Sequence, residues 1–168
     1  MEADRDNKDN FCKILFDNAR EGIIVTDGER NILQVNKAFT TITGYPEQEL
    51  IGQTPKILKS GMHDAQKYSD INKAIETQNY WQGELWDRRK NGELFALFLS
   101  ISAVRDEDGN IVNYLGILNE ITEKKQYLQQ IYDLAYYDNL TKLPNRSLFE
   151  DRCTQAIKKA NREKRLLS

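Results

Sequence analysis

The fold is decided by residues 79–104, NYWQGELWDRRKNGELFALFLSISAV, in which two strand-like stretches flank a polar turn. Residues 80–88 alternate between two faces, one of which carries Trp81, Gly83, Leu85 and Asp87. Residues 94–101 are almost entirely apolar, as is typical of a strand inside a sheet. The Asn91-Gly92 pair favours a primed hairpin turn, because that turn needs positive φ at its central residues. The stretch therefore predicts the central hairpin of a small antiparallel sheet.

Short strands and helices surround this hairpin. In chain order, the predicted elements are strands at 22–27 and 31–36, helices at 37–43, 46–50 and 65–77, the hairpin, and a last strand at 111–119. Asp64 is the predicted N-cap of the longest helix, and a short amphipathic helix begins near Phe11. The charged residues 1–10 are expected to be disordered. This order predicts an α+β fold, a five-stranded antiparallel sheet with short helices on one face.

From Thr122 onward the pattern changes to helices without strands. Apolar residues at helical spacing, among them Leu128 and Ile131, predict an extension helix over 122–137 with Thr122 as its N-cap. Its apolar stripe needs a partner, which is either the sheet of the same chain or a second copy in a short coiled coil. A turn-rich segment and a basic helix over 148–165 follow.

Composition and charge restrict the class of protein. The chain has 168 residues, 39% hydrophobic and 30% charged, which suits one globular domain with an additional segment. Its net charge of −2 gives no electrostatic reason to expect nucleic-acid binding or membrane contact. No apolar run approaches the ~18 residues that span a bilayer. Two distant cysteines, Cys12 and Cys153, favour a cytoplasmic location, and a membrane anchor upstream in a longer protein is compatible with it.

Three motifs in order carry a family resemblance. They are GIIVTDGERNILQVNKAFTTITGYPEQELIGQ at 22–53, W-x-G-E-L-W-D-R-R-K-N-G at 81–92, and the tripeptide Glu120-Ile121-Thr122. Together they make residues 11–121 resemble a PAS sensor domain. That family usually has Asp-Ile-Thr at its exit, so Glu120 departs from the pattern. The resemblance implies a PAS fold with a C-terminal helical extension, in which residues 122–137 form a signalling or linker helix.

A second resemblance covers YYDNLTKLPNRSLFEDR at 136–152, which looks like the leading edge of a GGDEF domain, with Lys142 where Gly is usual. Residues 138–168 would then be the start of an incomplete GGDEF domain, because the metal-binding Asp and the signature loop of that family are missing. The resemblance implies that this fragment is not itself an enzyme. It implies a longer cyclic-di-GMP signalling protein, a diguanylate cyclase, a phosphodiesterase or both.

Candidate site residues follow from the resemblance, since PAS pockets lie between the sheet and the helices. The polar candidates, each of which either lines the pocket or faces outward, are Asn36, Thr41, Tyr45, Tyr68, Trp81, Asp87 and Ser100. The candidate signal-relay residues are Glu120, Ile121, Thr122, Leu128 and Ile131. The sequence has no paired carboxylates at a plausible site, no metal-ligand cluster and no activated nucleophile. It therefore predicts neither a catalytic site nor a metal site.

The resemblance makes FAD one candidate ligand beside an unidentified small molecule. In flavin-binding PAS domains a Trp at the position of Trp81 walls the ring, and an Asn at the position of Asp87 bonds its edge. An ionised Asp87 only accepts hydrogen bonds. It could therefore accept from the flavin ring N–H, as the Asn does, but it could not donate to the adjacent ring carbonyl. Alternatively, Trp81 and Trp86 are packing residues on the two sides of the strand.

Two other cofactor routes are disfavoured. Pro55 stands where light-sensing PAS domains carry their reactive thiol. Heme needs an axial ligand, and His63, the only histidine, precedes the long helix instead of lying on it. The sequence therefore predicts a surface or capping role for His63.

Two functions remain from the sequence. In the first, the PAS unit receives a signal and transmits it, as a homodimer, through the helix from Thr122 to a GGDEF output domain. In the second, it is a dimerisation scaffold with a filled core and no ligand. The apolar run 94–99 favours filling, whereas a polar cavity lined by Asp87 and Tyr68 would favour a ligand.

Overall fold

The computed structural model describes residues 2–138 and 140–163. Residues 1, 139 and 164–168 lie outside it, and with them parts of the predicted disordered N-terminus and of the predicted GGDEF segment. The chain divides into two compact units, residues 1–122 and residues 123–168. Within the described ranges, no helix is both long enough and apolar enough to cross a lipid bilayer.

The first unit contains five strands and several helices. In chain order they are α1 (Glu2–Asn18), β1 (Gly22–Asp27), β2 (Ile32–Val35), α2 (Lys37–Thr43), α3 (Glu47–Leu50), a 3₁₀ turn (Pro55–Leu58), α4 (Ala65–Gln78), β3 (Tyr80–Arg88), β4 (Leu94–Arg105) and β5 (Ile111–Glu120). As predicted, Asp64 caps α4, because its side chain accepts a hydrogen bond from the Lys67 N–H at 2.8 Å.

The strands form one antiparallel sheet in the order β2-β1-β5-β4-β3. The predicted α+β fold with a five-stranded antiparallel sheet is therefore confirmed. β4 pairs on both sides, with β3 and with β5, as its continuous apolar sequence indicates. The inner face of the sheet and the short helices enclose the core, which is made of Ile24, Ile32, Val35, Phe39, Leu50, Leu58, Ile71, Ile75, Leu85, Phe95, Leu97 and Leu118.

The turn between β3 and β4 differs from the predicted primed turn. The Gly92 N–H donates to the Arg89 carbonyl at 2.9 Å, and the Arg89 N–H donates to the Glu93 carbonyl at 2.9 Å. In this turn only Gly92 has positive φ, at 91°, whereas a primed turn needs it at the central residues. The Asn91 side chain instead accepts from the Glu93 N–H at 3.0 Å. The result is a wider loop over residues 89–93.

The N-terminus also differs from the prediction. Residues 2–10 were expected to be disordered, but α1 begins at Glu2. Extending an existing helix fixes one residue for each hydrogen bond gained, so a helix that starts near Phe11 can continue upstream at little cost.

Two helices follow, α5 (Thr122–Tyr136) and α6 (Arg146–Glu163). All of α6 and all of α5 except its first residue, Thr122, belong to the second unit. The turn between the two helices is ordered by side chains. Asp138 Oδ1 accepts from the Thr141 N–H at 2.8 Å, and Asn145 Nδ2 donates to the Ala135 carbonyl at 2.7 Å. α6 begins two residues before the helix that the sequence predicts.

One buried side chain joins three segments of the first unit. Asn36 is 1% exposed, and its Oδ1 accepts from the N–H groups of Ile23 at 2.8 Å and Phe39 at 2.9 Å. Its Nδ2 donates to the carbonyls of Phe16 at 3.0 Å and Glu21 at 2.9 Å. Asn36 therefore caps α2 and also fixes the end of α1 against β1.

We expect Asn36→Ala to lower the free energy of unfolding by roughly 2–4 kcal/mol, because it leaves several buried backbone groups without partners. Urea denaturation measures this change. The control is Gln34→Ala on the exposed side of β2, which should change stability by less than about 0.5 kcal/mol. Equal effects of the two substitutions would contradict the structural role of Asn36.

Candidate functional site

A cavity of about 340 Å³ lies between the inner face of the sheet and the helices of the first unit. Its apolar wall comes from the strands on one side and from α4 on the other, through Leu85, Leu97, Leu99, Ile101, Leu118, Ile71 and Ile75. Ligand sites in proteins are typically concave, mostly apolar and of about 300–1,000 Å³. The cavity is therefore the candidate ligand site.

Asp87 and Tyr68 give this apolar cavity a polar wall. Asp87 is only 9% exposed, and burial raises the pKa of its carboxyl to about 7, with the Lys59 cation partly opposing the rise. The Tyr68 hydroxyl is buried and has no hydrogen-bond partner among the described residues. Burial raises the pKa of this phenol, and the charge of Asp87 adds to the rise. Lys59 Nζ lies 3.7 Å from the centroid of the Tyr68 ring.

The cavity wall also carries charges from the segments around α4 and from the β1–β2 turn. Lys56, Arg30 and Glu29 line it together with Lys59. Arg30 donates to Asn72 Oδ1 at 2.6 Å, and its guanidinium carbon lies 5.2 Å from the centroid of the Tyr114 ring. Cations therefore predominate among the charged side chains of the wall.

A segment before α4 covers the free edge of β3 and holds this wall in place. Lys59 and Asp87 form an isolated antiparallel bridge. The Ser60 hydroxyl donates to the Trp86 carbonyl, and His63 Nε2 accepts from the Trp86 N–H at 2.8 Å. Covering an edge strand satisfies its backbone and blocks pairing with other chains. The sequence predicted a surface or capping role for His63. In the structure His63 is instead half-buried and accepts a hydrogen bond from the β3 backbone.

Of the seven polar candidates, Tyr68 and Asp87 line the cavity and the other five do not. Asn36 uses its amide on backbone groups. The hydroxyl of Thr41 is on the exposed side of α2 and donates to the Lys37 carbonyl at 2.9 Å. Tyr45 packs against the core from outside the cavity.

The remaining two candidates are on β3 and β4. Ser100 pairs with Gln82 and Ile117, and its neighbours Leu99 and Ile101 line the cavity. Because alternate residues of a strand point to opposite faces, Ser100 lies on the outer face, which is one of the two orientations that the sequence left open. Trp81 packs against the core, with Lys67 Nζ 5.7 Å from its ring centroid.

Trp81 extends over the neighbouring glycine of its own strand. A Cβ at Gly83 would lie 2.8 Å from Trp81 Cζ2. The small residue at this position lets the indole lie flat on β3 beside α4. Trp81 therefore supports the packing of the helix on the sheet and leaves the cavity wall to Leu85 and Asp87.

The sequence did not point to Lys59, Arg30 or Tyr114 as members of the site. Lys59 precedes α4 by several residues, and its bridge to Asp87 joins positions that are far apart in the chain. Arg30 has a positive φ of 72° in the β1–β2 turn. A non-glycine residue in that conformation is uncommon, but the sequence shows only a polar turn.

The exit from the sheet is held by two residues of the predicted relay. Glu120 forms an ion pair with Arg89, whose guanidinium carbon lies 4.5 Å from the Phe95 ring centroid. The Thr122 hydroxyl accepts from the Ala96 N–H at 3.0 Å, so its side chain contacts β4. The start of α5 is thus fixed to a strand that also lines the cavity.

The other relay candidates lie on either side of this exit. The Ile121 N–H donates to the Ala96 carbonyl at 2.9 Å. Leu128 and Ile131, on α5 in the second unit, are 57% and 62% exposed.

The sequence profile of the PAS domain matches residues 20–123, more than half of the chain. The chain belongs to the PAS domain family. Among the described residues of this PAS protein, no cluster of His, Cys, Asp or Glu side chains has the arrangement of a metal site.

Similarity to known proteins extends to signalling proteins. The PAS chain is 32% identical over 127 residues to a blue-light-activated histidine kinase of Rhizobium johnstonii, covering 74% of this chain and 36% of the kinase. It is 26% identical over 156 residues to the cyclic di-GMP phosphodiesterase PdeR of Escherichia coli, covering 92% of this chain and 24% of the phosphodiesterase. The chain therefore spans well under half the length of either relative.

A solved light-oxygen-voltage domain, studied with a flavin analogue, shares the fold. It has a TM-score of 0.60 and 28% sequence identity, and the match covers 73% of this chain and 94% of that chain.

The raised pKa of Asp87 predicts a pH-dependent stability. Folded Asp87 keeps its proton up to about pH 7, whereas in the unfolded chain the carboxyl ionises near its ordinary pKa of 3.8. The folded state thus binds more protons between these values, so the contribution of Asp87 to stability falls as pH rises from about 4 to 7. Asp87→Asn removes the ionisation, and we expect its advantage in unfolding free energy over the wild type to grow across this range by on the order of 3 kcal/mol.

Urea denaturation at several pH values measures this difference. Asp27→Asn is the control of opposite sign, because hydrogen bonds from Asn31 hold the pKa of Asp27 below its ordinary value. That variant should lose stability relative to the wild type above about pH 4. Parallel pH profiles for wild type and Asp87→Asn would show that Asp87 is ionised in the folded protein.

Proposed function

We propose that this PAS domain is the cytoplasmic sensor module of a cyclic-di-GMP signalling protein. It binds a small molecule in its cavity and relays occupancy through β5 and α5 to an output domain. The observation that carries this proposal is an apolar cavity with Asp87 and Tyr68 in its wall. A filled-core scaffold has no use for a buried carboxyl beside a buried hydroxyl that has no hydrogen-bond partner among the described residues. The similarity to signalling proteins supports the sensor role.

The path of the signal follows covalent and hydrogen-bonded neighbours. Tyr114, Gly116 and Leu118 of β5 line the cavity, and Glu120 follows on the same strand. A ligand that displaces β5 or β4 therefore acts directly on the Glu120–Arg89 pair and on the contact of Thr122 with Ala96. Such an element with two arrangements is what coupling between sites requires.

The cyclic-di-GMP part of the proposal rests on the C-terminal segment. The match to the phosphodiesterase PdeR covers 92% of the chain and so extends beyond the PAS region. Lys142, where GGDEF domains usually have Gly, has a left-handed φ of 58°, which glycine adopts without strain. Residues 138–168 are thus proposed as the start of a GGDEF domain, with residues 122–137 as the linker helix.

A homodimer through α5 is part of the proposed relay. Five apolar or aromatic side chains of this helix are 41–64% exposed: Tyr127, Leu128, Ile131, Tyr132 and Leu134. A helix with this much exposed apolar surface favours pairing with a second copy.

FAD remains a candidate ligand, since a structurally similar light-oxygen-voltage domain was studied with a flavin analogue. The residues present fit a flavin in two respects, an apolar cavity for a ring system and cations for a phosphate. When bound, a flavin would supply redox chemistry. Heme fits less well, because His63 already accepts from the Trp86 N–H and is absent from the cavity wall.

The first experiment is an absorbance spectrum of the purified protein, with mass spectrometry of the molecules that heating releases. Flavin bands near ~450 nm identify FAD or FMN, and a discrete colourless molecule identifies a metabolite sensor. A protein that carries nothing and that no added small molecule stabilises would contradict the sensor proposal and favour the scaffold.

The relay is tested in the full-length protein with Thr122→Val, which keeps the shape of the side chain but removes the hydroxyl that contacts Ala96. We expect the ratio of output activity between ligand-loaded and ligand-free protein to fall severalfold, with the PAS domain still folded. Leu128→Asp should have the same effect by disrupting the helix pair.

Thr41→Val is the matched control, because it makes the same substitution at a threonine whose hydroxyl donates only to the Lys37 carbonyl within α2. Turnover of cyclic-di-GMP is the readout, and circular dichroism checks the fold. Normal regulation in both Thr122→Val and Leu128→Asp would exclude this relay.

A further inference from the structure

One side chain joins three elements that border the cavity. Arg30, in the β1–β2 turn, donates a hydrogen bond to Asn72 Oδ1 on α4 at 2.6 Å. Its guanidinium carbon lies 5.2 Å from the centroid of the Tyr114 ring on β5. All three residues line the cavity. Arg30 therefore connects a turn, a helix and a strand at the wall of one cavity.

The cavity reaches solvent beside this side chain. Glu29, which precedes Arg30, lines the cavity and is exposed, and so is Lys56 of the 3₁₀ turn. Deeper in the wall, Ile71 of α4 is buried. Arg30 and Asn72 are both half-buried, as expected of residues at the boundary between a cavity and the solvent. A ligand that enters between the β1–β2 turn and α4 must therefore pass their hydrogen bond.

The backbone of the turn holds Arg30 in this position. Arg30 has a φ of 72°, a left-handed conformation that is uncommon for residues other than glycine. The Asp27 carboxylate accepts from the N–H groups of Glu29 at 2.9 Å and Asn31 at 2.8 Å, and the Arg30 N–H donates to the Asp27 carbonyl at 3.0 Å. Disfavoured backbone conformations persist only where surrounding contacts maintain them, and they are frequent at ligand clamps. The turn thus fixes the point from which the Arg30 side chain reaches α4.

The partners of the guanidinium are neutral, so the contact can open. Asn72 supplies an amide oxygen and Tyr114 a ring face, and within the part of the chain that the structure describes Arg30 forms no ion pair. Hydrogen bonds from arginine to a neutral acceptor are weaker than those to a carboxylate. Arg89 at the exit, in contrast, pairs with the carboxylate of Glu120. The Arg30 contact therefore suits an interaction that breaks and forms again.

We propose that Arg30 is the latch of the cavity, closed by its contacts with Asn72 and Tyr114 and opened when its side chain rotates into solvent. The latch closes over the empty and the occupied cavity alike. It therefore controls how fast a ligand enters and leaves, and it contributes little to the affinity. Groups that close a binding site commonly set such rates. This inference rests on the proposed function of the cavity as a ligand site.

The probe is N-phenyl-1-naphthylamine, a neutral apolar dye whose fluorescence rises in apolar surroundings. Stopped-flow mixing with the purified protein measures the association rate, and dilution of the complex measures the dissociation rate. Glycine keeps the left-handed backbone of position 30 and removes the latch. We therefore expect Arg30→Gly to raise both rates by about tenfold and to change the dissociation constant by less than about threefold.

Asn72→Asp tests the same contact in the opposite direction. A carboxylate at this position forms a charge-assisted hydrogen bond with Arg30, so both rates should fall by about fivefold. Lys73→Gln is the matched control, because it makes the same change of net charge at an exposed neighbour outside the cavity wall. Leu99→Trp places an indole in the cavity and should remove the dye signal, which locates the bound dye. Thermal denaturation checks that each variant is folded.

The outcomes distinguish this inference from the proposed function. Three results would overturn the latch and leave the sensor function standing: unchanged rates in Arg30→Gly, unchanged or faster exchange in Asn72→Asp, or an effect of Arg30→Gly on dissociation alone, which would make Arg30 a ligand contact. If the dye binds neither the wild type nor Arg30→Gly, or if its signal persists in Leu99→Trp, the inference is overturned and an accessible ligand cavity is contradicted as well.

Discussion

The register of β3 against β4 and of β4 against β5 is the constraint on which the rest of the structure depends. Trp86 pairs with Ala96 and Asp87 with Phe95, while Leu97 pairs with Glu120. Because side chains alternate between faces, this single alignment turns Asp87 inward. The same alignment brings the end of β5 beside β4. One shift of register would expose the carboxyl and separate the exit from the cavity.

The cavity combines apolar walls with the carboxyl of Asp87. Burial raises the pKa of this carboxyl by more than the attraction to the Lys59 cation lowers it. Lys59 is close enough to lie over the Tyr68 ring, but its exposure to water weakens its effect on Asp87. The carboxyl is therefore poised near neutral pH. Groups whose pKa is displaced toward neutrality by burial are frequent at functional sites, and here the geometry of the cavity supports the same conclusion independently.

Ligand site and exit are joined by short connections. β4 lines the cavity through Leu97 and Leu99, and Ala96, immediately before Leu97, makes the hydrogen bonds with Ile121 and Thr122. Arg89, from the adjacent loop, holds Glu120. The polar contacts at the exit therefore join β4 and the loop after β3 to residues 120–122, within the same unit as the cavity.

The sequence by itself determined the elements, because their signals are local. Alternation in 80–88, the apolar run 94–101 and the cap at Asp64 depend on neighbours within a few residues, and the predicted α+β sheet follows from them. The ordered motifs also identified the PAS family. The prediction of a primed turn was wrong, because Asn91 does not adopt positive φ and its side chain instead accepts a hydrogen bond from the Glu93 N–H.

Only the tertiary structure decided which polar residues meet at the site. Tyr68 and Asp87 face one cavity. The Asn36 amide instead makes hydrogen bonds with backbone groups, and Ser100 lies on the outer face of the sheet. Lys59 joins Asp87 through a bridge between distant positions. The pKa of a carboxyl and the partner of a hydroxyl depend on groups that are far away in the chain, and no local pattern records those distances.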